Sequence, residues 1–112
     1  MNVIQKASAH FKTVLAQGMK SVEVPEWEAT IYFKPATTFA QEQKIVQLHS
    51  EGKLVEALVE SLIQRALTAD GTKMFKQADK PIFMNEVDPK IIMRIVSEMN
   101  EAGAVSEDDL GN

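Results

Sequence analysis

Fourteen consecutive residues, Leu54 to Leu67, restrict the folds open to this chain more than any other stretch. On a helix of 3.6 residues per turn, Val55, Leu58, Val59, Leu62, Ile63 and Ala66 fall on one broad face. Glu56, Glu60 and Gln64 stand at successive turns on the opposite edge. The apolar arc is wider than a surface helix needs, so the stretch reads as a central core helix covered on several sides. That fixes how the chain collapses and names no chemistry.

The remaining segments divide around it. Ile4, Ala7, Phe11, Val14 and Leu15 recur at helical spacing, with Asn2 placed to cap the first turn and Gly18 to stop the helix. From Ser21 to Lys34 the pattern changes to β-branched and aromatic residues bounded by Pro25 and Pro35. This predicts a hairpin of residues 21–24 with 29–34, turning at Pro25-Glu26-Trp27-Glu28. Two strands alone are marginal in water, so the hairpin must pack on helices or gain a strand from a neighbouring molecule. Thr38-Phe39-Ala40-Gln41 is a capping box that opens a helix running to Ser50, expected to bury Phe39, Ile45, Val46 and His49. Gly52 ends that helix, and the central helix follows to about Thr68.

Asp70-Gly71 marks a tight turn. Lys73 to Met84 shows no sustained period and reads as a loop with a short helical turn, pinned by Phe75 and Phe83. Asp88-Pro89 opens a last helix with an apolar stripe of Ile91, Ile92, Ile95, Val96 and Met99, ended by Gly103. The expected class is mainly α, about four helices with a small β-hairpin between the first and second. Residues 1–103 form a single helical domain with the hairpin at 21–34, and residues 104–112 form an acidic, mobile tail carrying Glu107, Asp108 and Asp109.

Composition narrows the function. A chain of 112 residues suits one domain with one modest core. A net charge of −4 without a basic stripe argues against nucleic acid and against an anionic membrane surface. There is no cysteine, which removes disulfides, thiolate metal sites and cysteine nucleophiles. No apolar run approaches the roughly 20 residues that span a bilayer. Met1 to Lys6 is polar where a signal peptide needs its apolar centre, so a cytosolic protein is expected.

Catalysis needs a nucleophile beside a base, or paired acids in a pocket. The two histidines, His10 and His49, fall on different predicted helices at no metal-ligand spacing. Asp70-Gly71 does not continue as a calcium loop, because Met74 stands where an oxygen ligand is required. No glycine-rich phosphate loop occurs. The reading is therefore a non-enzyme without cofactor or metal. Trp27 stands out in its predicted turn, either as a lid on the core or as an interface anchor, since tryptophan is enriched among binding hot spots. Tyr32 and Phe33 are adjacent on a strand and point to opposite faces, so one is core and the other is free for a partner. Trp27, Tyr32 and Phe33 are the candidate protein-binding residues.

The order of these features resembles the tail assembly chaperones of long-tailed bacteriophages, over residues 2 to 102. The likeness lies in a first helix followed by Ser21-Val22-Glu23-Val24-Pro25-Glu26-Trp27, then Ile31-Tyr32-Phe33-Lys34. It continues through Thr37-Thr38-Phe39-Ala40-Gln41-Glu42-Gln43, a core helix, Ala69-Asp70-Gly71-Thr72-Lys73-Met74-Phe75 and a final isoleucine-rich helix from Pro89 to Met99. The chain departs from the family pattern where Lys76 and Gln77 intervene before Asp79. The resemblance implies a non-catalytic protein of the host bacterial cytoplasm, not retained in the mature virion. It implies self-association into a homo-oligomer, coating of the tape measure protein and recruitment of the tail tube protein. A small phage or plasmid adaptor binding one cellular protein is the alternative.

Overall fold

The computed structural model describes residues 2–103; the acidic tail expected at 104–112 lies outside them. The first helix, α1, spans Val3–Leu15 and starts on a complete capping box: the Asn2 side chain accepts from the Gln5 N–H, and the Gln5 side chain accepts from the Asn2 N–H. Two antiparallel strands follow, β1 at Lys20–Val24 and β2 at Ala29–Phe33, with Val22 opposite Ile31 and Val24 opposite Ala29. A 3₁₀ turn, Pro25–Trp27, joins them, and Glu28 closes it in the left-handed region at φ 51°. The hairpin thus lies where alternation and the two prolines put it.

Helices α2 (Phe39–Ser50) and α3 (Leu54–Arg65) form an antiparallel pair around Gly52, whose φ of 76° is open to glycine at no steric cost. The Thr38/Gln41 capping box is formed in both directions. Beyond α3 the Lys73–Met84 stretch contains more helix than its lack of period suggests. A 3₁₀ turn at Gln77–Asp79 runs straight into α4, Lys80–Asn85. The described residues therefore hold five α-helices, α4 being the short addition. The fifth, α5, spans Pro89–Gly103, and the Asp88 carboxylate accepts from the Lys90 N–H at 2.9 Å.

The main core lies between the hairpin, α3, α4 and α5. One face of the hairpin gives Val22, Val24, Ile31 and Phe33, and α5 gives Ile92, Ile95, Val96 and Met99. Between them α3 contributes Val59, Leu62 and Ile63, with Ala66 just beyond its end, and Phe83 of α4 closes one side. The central position expected of α3 is real, but its buried arc is rotated. Val55 is 62 % exposed, whereas Ala57, Glu60 and Ser61 are buried. Glu60, expected on the polar edge, is tolerated inside because it accepts from Gln77 Nε2 at 2.6 Å and Gln64 Nε2 at 3.4 Å.

The helix also stops earlier than its apolar pattern, at Arg65. Ala66 turns extended so that Leu67 can pair with Tyr32: Tyr32 donates to the Leu67 carbonyl at 3.0 Å and Leu67 donates back at 2.7 Å. A gain of sheet bonding here displaces the last helical turn.

The second helix packs differently. Only Ile45 and Leu48 are buried, forming a small separate cluster with Ala57 of α3. Phe39, Val46 and His49, expected inside, are exposed, Phe39 by 86 %. At 100° per residue, Phe39 and Val46 share a stripe that lies roughly 140° from the Ile45–Leu48 stripe. One helix contact can cover one of these stripes, and α3 covers Ile45–Leu48.

Candidate functional site

Trp27 rides on the 3₁₀ turn between the strands and is half-buried. Its indole ring lies 6.2 Å from the Phe83 ring, which in turn meets Phe75 edge-on at 4.8 Å. These aromatics, with Met74, Ile82 and Val87, line an open apolar cleft between the turn and α4. Ile82 and Met84 beside it are 49 % and 39 % exposed. The turn is fastened from the other side by a bidentate ion pair. Arg94 of α5 donates through Nη2 to Glu26 Oε1 at 2.9 Å and through Nη1 to Oε2. That hydrogen bonding lowers the Glu26 carboxyl from 4.5 to about 2 and raises Arg94. The tryptophan next to Glu26 is therefore held in place by a contact made with α5.

The other two candidates part company, as their alternation requires. Phe33 is fully buried, with the Arg65 guanidinium 5.7 Å from its ring centroid, and offers a partner no surface. Tyr32 faces the other way and is half-buried, and its backbone is already committed to Leu67. At Tyr32 the outer edge of β2 is thus occupied by the chain's own Leu67, so strand addition from a neighbour is blocked at that position. The three candidates do not form one site: Trp27 borders the aromatic cleft, Phe33 is core, and Tyr32 lies on the strand face between.

A second apolar surface is on α1, whose helical period marks it as amphipathic. None of its residues is buried, and it takes no part in the main packing between elements. Val3 and Ile4 are 80 % and 74 % exposed, and Phe11, Val14 and Leu15 are only half-covered. Its charged side chains are Lys6 and Lys12, with no acid, in a chain of net charge −4. A third apolar surface is the Phe39–Val46 stripe of α2, with Leu54 and Val55 exposed at the start of α3. The signal for it was readable: the apolar positions of α2 split into two stripes, more than one neighbour can cover.

His10 and His49 lie exposed on α1 and α2. Among the described residues no three His, Asp or Glu side chains are grouped closely enough to hold a metal ion. The Asp70 carboxylate is engaged by the Thr68 and Thr72 hydroxyls, which hold it below its ordinary pKa and lock the turn at Gly71. Within the described residues no helix is long and apolar enough to cross a membrane. No protein-family model, curated protein or solved structure matches the chain.

Proposed function

We propose that this protein is a non-catalytic assembly chaperone of the kind its sequence resembles. In that reading it associates with copies of itself and shields a long helical polypeptide, the tape measure protein, during phage tail assembly in the host cytoplasm. The observation that carries the reading is α1: a complete apolar stripe on a capped helix, with no residue buried. A helix of 13 residues is marginal in water without tertiary packing, so its apolar face calls for another polypeptide. The Phe39–Val46 stripe adds a second surface on a different helix, as a protein with more than one contact to make requires. The acidic net charge limits indiscriminate association.

The test is light scattering across a concentration series, followed by co-expression with a tape measure protein and a tail tube protein. Concentration-dependent oligomers, and a tape measure protein kept soluble by co-expression, are expected. A strict monomer that leaves the tape measure protein insoluble overturns the reading. The aromatic cleft at Trp27 and Phe83 favours a second reading, an adaptor that anchors one apolar side chain of a single cellular partner. A one-to-one complex with a monomeric chain is the outcome that selects it.

A further inference from the structure

The cleft beside Trp27 and the helix α1 are both left without cover by the fold, and their charges are opposite. The cleft holds about 510 Å³ between the hairpin turn and α4, and Asp79 is the single charged residue that lines it. Further carboxylates stand at its margin. Glu28 follows Trp27 in the chain, and Glu86 and Asp88 flank Val87. With Asp79, these four acids form no ion pair among the described residues. Three lysines adjoin the lining residues. Lys73 donates to the Gln64 carbonyl and Lys80 pairs with Glu56 at 3.6 Å, which leaves Lys76. An apolar slot with an acidic margin suits a helix that is apolar on one face and basic beside it.

Helix α1 has that character. Its apolar residues occupy an arc of about 120°, and Ile4, Ala7 and Phe11 have the i, i+3, i+7 spacing that seats a helix in a groove. Lys6 and Lys12 stand on opposite sides of the arc, and no acid occurs from Val3 to Leu15. Residues 16–103, by contrast, carry thirteen acids against ten lysines and arginines. Two α1 helices set face to face would bring like charges together. The cavity lined by Lys34, Glu42, Arg65 and Lys73 sets three cations against one acid and repels such a helix. The chain's own α1 joins the hairpin at its open end, next to Lys20, whereas the cleft lies at the Pro25–Trp27 turn, a strand length of about 16 Å away.

We propose that the cleft of one copy receives the α1 helix of a second copy, with Ile4 and Phe11 as the anchoring side chains and Lys6 and Lys12 facing the marginal carboxylates. This rests on the self-association proposed above and names its two faces. Helix and cleft are different patches, so the contact is heterologous and each pair of copies keeps one helix and one cleft free.

Two substitutions separate the faces: Ile4→Glu on α1 and Ile82→Glu at the cleft, at positions 74 % and 49 % exposed. At a concentration where the parent chain associates, each variant is expected to sediment as a monomer. An equimolar mixture should form a one-to-one complex, since the first variant keeps its cleft and the second its helix. Should Ile82→Glu fail to fold, Glu86→Lys at the exposed margin reads the same face by weakening association. Trp27 is the single tryptophan, so its emission should move to shorter wavelength as the parent associates. Lys6→Gln with Lys12→Gln should weaken association several-fold at low salt and flatten its salt dependence. The proposal is overturned by a mixture of folded variants that stays monomeric, or by Trp27 emission that does not move while the parent associates. Tighter association of the double lysine variant also overturns it, because that places α1 against α1. Association that persists in both glutamate variants overturns it and leaves self-association standing, whereas a parent monomeric at every concentration removes self-association itself.

Discussion

The first and last helices share an amphipathic pattern and are opposites in the fold. Both carry a clean apolar stripe at helical spacing, and both begin on a side-chain cap. In α5 the stripe is spent on the core: Ile95 and Met99 are fully buried, and Ile92 and Val96 nearly so. In α1 the equivalent residues stay at the surface. An amphipathic pattern states that a face needs cover and is silent on who covers it. The difference comes from what lies next in the chain. The hairpin already seals its inner face against α3 and α5, and no α1 residue enters that core.

Core truncation breaks the comparison most visibly. Ile95→Ala should cost about 2–5 kcal/mol, the range for removing a branched side chain from a packed interior. Ile4→Ala, the same chemical change at a site 74 % exposed, should stay within about 0.5 kcal/mol. Urea unfolding followed by Trp27 fluorescence measures both. A loss at Ile4 comparable to that at Ile95 would mean that α1 is packed onto the body.

Capping gives a smaller effect with the same logic. Thr38→Ala removes the box of α2, a helix tied to α3 through Ile45, Leu48 and Ala57. Its loss should lower global stability by about 1 kcal/mol, read as a shifted urea midpoint at unchanged slope.

The Glu26–Arg94 pair ties α5 to the turn that carries Trp27, and its effect appears in the pH dependence. Glu26 is depressed from 4.5 to about 2 in the folded chain. Its contribution is therefore complete above pH 4.5 and is lost as the pH falls through about 2. Glu26→Gln should be the less stable protein at pH 7, with the gap closing at the acid end. Added salt should narrow the gap, because both side chains are substantially exposed.

Much of this fold was legible because its signals are local. Both capping sequences, the prolines around the hairpin and the glycine stops at Gly18 and Gly52 act within four residues, and each holds in the structure. What escaped was set by distant partners. Glu60 is polar by type, but Gln77, seventeen positions on, satisfies it inside the core. Phe39 is apolar by type, yet α3 covers the other stripe of its helix. The last turn of α3 yields to pairing between Leu67 and Tyr32, which no periodicity encodes. The candidate site followed the same division. Trp27 was marked by its turn, whereas the split between Tyr32 and Phe33 was foreseen without its direction. The cavity lined by Lys34, Glu42, Arg65 and Lys73 was invisible because these residues converge only once the chain is folded.

The smallest effect is also the sharpest discriminator between the two ends of the molecule. Asn2 and Thr38 head equivalent capping boxes, with Gln5 and Gln41 as the returning side chains. Asn2→Ala therefore removes the same bonds as Thr38→Ala. With α1 outside the cooperative core, the global unfolding midpoint should not move. The change should appear instead as a partial loss of helical signal at 222 nm and faster amide exchange in the first turn, at Gln5 and Lys6. Under the proposed self-association, raising the protein concentration should couple the two ends. If partners cover the α1 stripe, Asn2→Ala then weakens self-association while leaving the dilute monomer as stable as before. An Asn2→Ala chain that associates normally would place the contact on the Phe39–Val46 stripe instead.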